Sequence, residues 1–283
     1  MSKRNIDLAR CLMHDGAVNC HLCEKICPQN AIQEHVIDMS RCDGCGLCQA
    51  VCPTAAIMST EDYERALTKA AELEPQVLMC QKAGEGNVSC LGFLNRRILW
   101  ALASKRSLCL DISRCQKCRP AVYEWLLGEV EACNEALHRA QKDEIRLVHV
   151  KPQKTQPKPA PKVERRSFFQ ALFHSTAKGL QEIADSQIER FYFFDEMTWL
   201  KRQGPQGIEA NTLFYGMAVR QGCTACGLCA VVCPTNALTF SREERRLHFD
   251  PLLCKKCGLC AAHCPSEVLA LLPHFNGQRD FSC

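Results

Sequence analysis

Residues 223–234 read CTACGLCAVVCP: three cysteines stand at every third position, and a fourth comes four residues later, directly before a proline. The same spacing, Cys-x2-Cys-x2-Cys-x3-Cys-Pro, recurs at residues 42–53 and 254–265. Residues 11–28 hold a stretched version with the same Cys-Pro ending and extra residues after its first cysteine. The repeats form two pairs, which predict two similar modules at residues 5–60 and 215–275.

This spacing is typical of iron–sulfur ligation. Three closely spaced thiolates on a tight loop can each reach one iron of a four-iron cubane, whereas the fourth cysteine begins a helical turn and binds the other cluster of a pair. Structural zinc is the main alternative, but zinc sites usually combine two Cys-x2-Cys pairs across a longer spacer. We therefore expect four [4Fe–4S] clusters, two in each module.

The sequences around three of the Cys-Pro pairs are similar to one another: ICPQNAI at 26–32, VCPTAAI at 51–57 and VCPTNAL at 232–238. Both modules resemble bacterial two-cluster ferredoxins. The resemblance implies a β-α-β-α-β unit with near two-fold symmetry. The expected fold class is α+β, with the two modules flanking a small parallel-sheet domain.

By analogy with these ferredoxins, the sixteen motif cysteines divide into four sets, each completed by the fourth cysteine of the neighbouring motif. Cys11 is the least secure ligand, and without it that site is expected to hold a three-iron cluster. The four sets are as follows: the first set is Cys11, Cys20, Cys23 and Cys52; the second is Cys27, Cys42, Cys45 and Cys48; the third is Cys233, Cys254, Cys257 and Cys260; the fourth is Cys223, Cys226, Cys229 and Cys264.

Composition limits the other possibilities. The chain has 283 residues and 23 cysteines, an odd number that argues against a disulfide framework. Its first ten residues are charged and lack the apolar core of a signal peptide, which predicts a cytoplasmic protein with reduced thiols. No apolar stretch is long enough to predict a membrane span. The formal charge of +4 becomes about −4 once four clusters are bound, so no nucleic-acid partner is expected.

The segment between the modules has a different pattern. Residues 76–79, 108–112 and 145–150 are predicted as strands, and residues 91–104 and 121–143 as helices. Strands that alternate with helices predict a small parallel sheet in a domain at 61–150. Residues 151–166 are rich in proline and lysine and predict an extended linker. Residues 167–214 are predicted to be helical, and their apolar face from Phe168 to Ile183 would pack on this protein, a partner or a membrane surface.

Four further cysteines, Cys80, Cys90, Cys115 and Cys118, form the central set. Cys80 ends the first predicted strand, and Cys115 and Cys118 follow the second; both places lie at the carboxyl edge of a parallel sheet, where sites of α/β proteins usually form. The words VSCLG at 88–92 and RCQKC at 114–118 resemble the delta subunit of methyl-viologen-reducing hydrogenases, although Arg119 and Pro120 depart from it. The resemblance implies a [2Fe–2S] cluster; zinc and free thiols stay open. Cys109 and Cys133 are expected to be buried, and Cys283 has no assigned role.

No catalytic constellation stands out, so we expect a protein without its own catalytic site. It would pass low-potential electrons between a donor protein and a catalytic oxidoreductase subunit, its redox partners. The alternative is an accessory ferredoxin that assists the maturation of a client enzyme. That alternative rests on residues 165–169, RRSFF, which together with the cluster motifs are similar to the cytoplasmic accessory ferredoxins of nitrate reductase systems.

Overall fold

The computed structural model describes residues 3–72, 76–84, 86, 88–148, 190–205 and 213–283. Within these ranges, short helices and strands form five small sheets, in agreement with the expected α+β class. No helix in the described ranges combines the length and apolarity that crossing a membrane requires. The linker at 151–166 and the apolar face from Phe168 to Ile183 lie outside the described residues.

The first module is built from two short helices and four strands. Its strands pair antiparallel, β1 with β4 and β2 with β3. Two strands lie between the helices where one was expected, because Glu34 and His35 both have positive φ angles of 47° and 61° and close a tight hairpin. The order is β1 Arg4–Ile6, α1 Leu22–Ile26, β2 Ile32–Gln33, β3 Val36–Ile37, α2 Leu47–Val51 and β4 Ile57–Ser59.

The middle of the chain contains the predicted parallel sheet, with strand order β5-β6-β7. Its elements are α3 Tyr63–Glu72, β5 Gln76–Met79, α4 Arg96–Ala103, β6 Leu108–Asp111, α5 Cys115–Cys118, α6 Pro120–Arg139 and β7 Arg146–Val148. The prediction that a helix begins at residue 91 was wrong. The helix begins at Arg96 because the Asn95 side chain accepts hydrogen bonds from the amides of Arg97 and Ile98 and caps it there.

The other boundaries differ less. The long helix begins at Pro120, a favoured first helical residue, and ends at Arg139 instead of 143. The second strand stops at Asp111, and the third occupies Arg146–Val148 within the described residues.

Helix α4 lies at the centre of the molecule. Ile98, Leu99, Trp100 and Ala101 are fully buried, and the helix packs against α6 and against α7, Glu196–Gln203. The Asn95 amide donates to the carbonyl of Ala50 in the first module at 3.3 Å, and the Arg97 guanidinium donates to the carbonyl of Cys254 in the second module at 3.0 Å. The start of α4 thus ties the two modules to one core.

The second module repeats the arrangement of the first. Strand β8 pairs antiparallel with β11, and β10 lies between β9 and β12. Strand β12 belongs to this sheet although it lies beyond residue 275, the expected end of the module. The order is β8 Gly216–Val219, α8 Leu228–Val231, β9 Leu238–Ser241, β10 Arg246–Phe249, α9 Leu259–Ala262, β11 Leu269–Leu272 and β12 Asp280–Ser282.

Candidate metal centres

The first set of cysteines surrounds one cavity in the first module. Cys11, Cys20, Cys23 and Cys52 line it together with His35. Burial raises the pKa of Cys23 to about 12, and negative charge on Cys52 and Cys20 acts in the same direction. Cys11 lies with the other three, and its Sγ is 3.7 Å from Nδ1 of the buried His35. Cys52 reaches this cavity from the second motif.

The second set surrounds a neighbouring cavity. Cys27, Cys42, Cys45 and Cys48 line it, together with Arg4. Burial raises the pKa of Cys45 to about 12. Here Cys27, which ends the first motif, lies with three cysteines of the second motif.

The second module groups its cysteines in the same crosswise manner. The fourth set, Cys223, Cys226, Cys229 and Cys264, lines one cavity. In the third set, burial raises the pKa of Cys260 to about 12. Negative charge on the other three thiols of the set raises it further; these are Cys254, Cys257 and Cys233.

Short helices explain how each motif serves two cavities. Cys23 lies in α1 and Cys27 directly follows it; Cys48 and Cys52 stand in the same relation to α2. Four residues of helix advance about 6 Å, so the two thiols of each pair are delivered to adjacent cavities. The loop before α2 depends on Gly46, whose φ is 92° and whose missing Cβ would lie 2.9 Å from the amide nitrogen of Phe93.

Backbone amides after the Cys-Pro steps point at the sulfurs. The amide nitrogens of Ala31, Ala56 and Ala237 lie 3.3, 3.2 and 3.2 Å from the Sγ atoms of Cys27, Cys52 and Cys233, respectively. The turn that places each amide has a positive φ one residue earlier, for example 53° at Ala55. The sequence analysis did not identify these donors, although each one is the alanine that ends a repeated Cys-Pro-x-x-Ala motif. Such hydrogen bonds stabilise a thiolate and raise the reduction potential of a bound cluster.

The two modules meet where the first and third sets lie. Burial is the largest cause that raises the pKa of Cys257. The charge of Cys233 and, more weakly, that of Cys20 in the other module act in the same direction. His263 Nε2 lies 2.9 Å from Asp15 Oδ1 across the same junction. A cavity of about 140 Å³ is lined by both Cys-Pro loops, Pro53 and Thr54 from one module and Pro234 and Thr235 from the other. The first and third sets are therefore neighbours.

A buried ionic group supports this junction. Lys255 Nζ lies 2.5 Å from Oε2 of Glu196, and the Asn95 amide donates to the same oxygen at 2.9 Å. Arg97 Nε lies 3.8 Å from the other carboxylate oxygen. Burial favours the neutral acid, but Lys255 and Arg97 outweigh it and hold the pKa of Glu196 below its usual value. Lys255, which stands between two cysteines of the third set, is thus a buried cation near both modules.

The central set also comes together. Burial raises the pKa of Cys115 to about 12, and the charges of Cys80, Cys90 and Cys118 add to this effect. Lys82 Nζ donates to the Sγ of Cys118 at 3.3 Å. All four cysteines therefore lie at the carboxyl edge of the parallel sheet: Cys80 directly follows β5, Cys90 precedes α4, and Cys115 and Cys118 are in α5.

Arg119 joins the central set to the first module. Its Nε donates to Oδ2 of Asp43 at 3.0 Å, next to the loop of the second set. Burial lowers the pKa of Arg119, but negative charge on Cys90 and Asp43 outweighs burial and raises that pKa. Cys90 is close enough to Cys45 for its charge to act on the pKa of that thiol. The central set is therefore the neighbour of the second set.

The donor chemistry fits clusters. Each of the three cavities described above presents at least four thiols and largely apolar walls, and thiolates are the ligands of [4Fe–4S] cubanes. The remaining thiols differ: Cys133 is fully buried in the core, as expected, whereas Cys109 is half-buried in β6. Cys283 lines the cavity of the fourth set, which sequence reasoning missed.

Comparison with known proteins agrees with this chemistry at both ends of the chain. No curated protein and no solved structure matched the chain. Residues 222–268 match the family model of a 4Fe-4S dicluster domain and span all eight cysteines of the third and fourth sets. Residues 18–63 match the model of the LdpA Fe-S cluster-binding domain; Cys11 lies outside this match. The chain therefore carries two iron–sulfur cluster-binding domains, one toward each end of its sequence.

Proposed function

We propose that the chain is an electron-transfer protein without a catalytic site of its own. Its four sets would hold four [4Fe–4S] clusters, which supply one-electron transfer when bound. The protein would relay low-potential electrons between a donor protein and a catalytic oxidoreductase subunit.

The observation that carries the proposal is the junction between the modules. Each module alone groups its cysteines in two sets, but at the junction both Cys-Pro loops line one cavity and the charge of Cys20 acts on Cys257, which makes the first and third sets neighbours. The four sets then follow one another in a single row, in the order second, first, third, fourth. A row of neighbouring one-electron sites is an arrangement suited to conduction over a distance.

The residues of the chain would have distinct tasks in such a relay. The amides of Ala31, Ala56 and Ala237 stabilise thiolate charge. The ammonium group of Lys255 lies close enough to Cys52 to interact with the charge of that thiolate. Lys255 therefore stabilises additional negative charge at the junction. The α4 helix fixes the separation of the modules, because Asn95 and Arg97 contact one module each.

The central set extends the row at the end of the second set. Its four thiols would hold a further metal site, either a [2Fe–2S] cluster or zinc. A [2Fe–2S] cluster would add an electron entry or exit point there, whereas zinc would only brace the loops around α5. The exposed Cys118 and Lys82 place this site within reach of a partner surface.

The alternative role, an accessory ferredoxin for a client metalloenzyme, rests on residues 165–169, which lie outside the described residues. The relay is therefore the function for which the described contacts give support.

The test begins with protein purified without oxygen. We expect about 16 iron ions per chain, or about 18 with a central [2Fe–2S] cluster, and a matching amount of sulfide. EPR spectra of the fully reduced protein should show magnetic interaction among the clusters. In the double variant C254A/C257A, which removes the third cluster from the row, the fourth cluster should give an isolated signal. A colourless, zinc-rich protein would refute the proposal.

A further inference from the structure

Cys283 is held in place from two sides. It follows β12, whose residues Phe281 and Ser282 pair with Leu247 and Arg246 of β10. The Cys283 amide donates to the carbonyl of Arg245 at 2.9 Å, and the Arg245 side chain donates to the carbonyl of Cys283 at 3.2 Å. These bonds fix the backbone at the end of the strand, so the position of the thiol is set by the sheet.

The thiol of Cys283 lines the cavity of the fourth set. This cavity therefore contains five thiols, those of Cys223, Cys226, Cys229, Cys264 and Cys283, among apolar side chains such as Phe240, Leu247 and Val268. Burial raises the pKa of Cys283 to about 12, and the neighbouring Cys223 thiol acts in the same direction. Cys283 and Cys223 are thus neighbours in the lining of one cavity.

A [4Fe–4S] cubane binds one thiolate at each of its four irons, so one of five thiols is in excess. Since Cys283 and Cys223 line the same cavity and Cys223 is the thiol that acts most strongly on Cys283, these two compete for the same iron. We propose that Cys283 and Cys223 are interchangeable ligands of one iron at the fourth site. This inference rests on the proposed function, because it requires a [4Fe–4S] cluster in this cavity.

The exchange is balanced without an oxidant or a reductant. The bond between iron and the Cys223 sulfur breaks, a bond between iron and the Cys283 sulfur forms, and the Cys283 proton passes to Cys223. The thiol that is not bound donates its hydrogen to the bound sulfur. Such a hydrogen bond raises the reduction potential of the cluster.

The decisive variant is C223A, compared with C254A as a matched control. Cys254 is the first cysteine of its motif, as Cys223 is, but the thiols whose charges act on it are those of Cys257 and Cys233 in its own set. C223A should keep about 16 iron ions per chain and give no three-iron EPR signal after oxidation, because Cys283 replaces the lost ligand. C254A and the double variant C223A/C283A should each give about one three-iron signal per chain.

The inference is overturned if C223A gives the same three-iron signal as C254A. The iron content of the wild-type protein separates this failure from that of the proposed function. If C223A gives that signal and the wild type holds four clusters, only the inference is wrong. If the wild type lacks the four clusters, the proposed function is wrong as well. A further variant, C283A, keeps all four motif ligands and covers the case in which C223A does not fold. It should lower the reduction potential of one cluster only, and an unchanged set of four potentials would contradict the proposal.

Discussion

Lys255 Nζ lies 2.5 Å from Oε2 of Glu196, and both side chains are nearly excluded from solvent. The contact joins α7 to the loop before α9, which carries two cysteines of the third set, Cys254 and Cys257. Arg97 completes the group, with Nε 3.8 Å from the carboxylate and a guanidinium nitrogen 3.0 Å from the carbonyl of Cys254. One buried carboxylate is therefore the counter-charge of two cations beside the junction of the modules.

Replacing Glu196 by Gln should destabilise the protein by about 3–5 kcal/mol, because two buried cations lose their counter-charge. The measurement is the loss of visible cluster absorbance on anaerobic heating. Glu64 gives a matched control: it pairs with Arg202 in an exposed position, so E64Q should change stability by less than about 1 kcal/mol. Equal melting temperatures for E196Q and E64Q would contradict the assigned role of Glu196.

The crosswise grouping of cysteines predicts different outcomes for two double variants. C52A/C23A removes two ligands from the first set alone and should cost one whole cluster, leaving about 12 iron ions per chain. C52A/C42A removes one ligand from each of two sets and should give two three-iron EPR signals with about 14 iron ions. The results would be reversed if Cys52 bound the cluster of its own motif.

Gly46 should tolerate alanine worse than Gly258 does. Both have positive φ angles, 92° and 90°, so each substitution carries the same backbone strain of about 1–2 kcal/mol. A Cβ at Gly46 would also lie 2.9 Å from the Phe93 amide nitrogen, whereas a Cβ at Gly258 meets nothing within 4 Å. We expect G46A to have the lower melting temperature of the two, measured on the holoproteins. A lower melting temperature for G258A would show that the close approach of Phe93 does not limit the room for a side chain at position 46.

Cys133 should make stability depend on pH in the alkaline range. Burial raises its pKa to about 12, with Glu129 adding to the effect, whereas an unfolded thiol titrates near 8.5. The folded state keeps the proton that the unfolded state loses. The contribution is therefore fully present below about pH 8.5 and falls by up to about 1.4 kcal/mol per pH unit above it, until the folded group titrates.

The variant C133A tests this dependence. At pH 7 it should be less stable than wild type by about 1 kcal/mol, since it leaves a small cavity in the core. Above pH 8.5 the difference should shrink and then change sign before pH 10.5, because only the wild type carries the thiol and loses up to about 1.4 kcal/mol per pH unit. A constant difference over this range, measured by anaerobic denaturant unfolding, would argue against a raised pKa.

Much of the local architecture follows from the sequence. The motif spacing predicts that Cys52 and Cys27 cross between sets, and the structure places each with the expected three cysteines, because a four-residue helical step carries the last thiol to the adjacent cavity. Alternating apolar runs likewise predict the parallel strands β5, β6 and β7. Such features depend on neighbours a few residues away, and their patterns repeat along the chain.

Other features came only from the tertiary structure. The sequence gives no sign that Lys255 finds Glu196, that Cys20 lies near Cys257, or that Cys283 returns to Cys223. Each of these contacts joins segments separated by tens to hundreds of residues. The first two depend on how α4 lies between the modules, and the third depends on the pairing of β12 with β10. By itself, the sequence determined the iron-binding chemistry of each module through spacing along the backbone. Packing decided which sets of the two modules become neighbours. Burial of α4 and the contacts of Asn95 and Arg97 fix the distance between the modules, which no local spacing encodes.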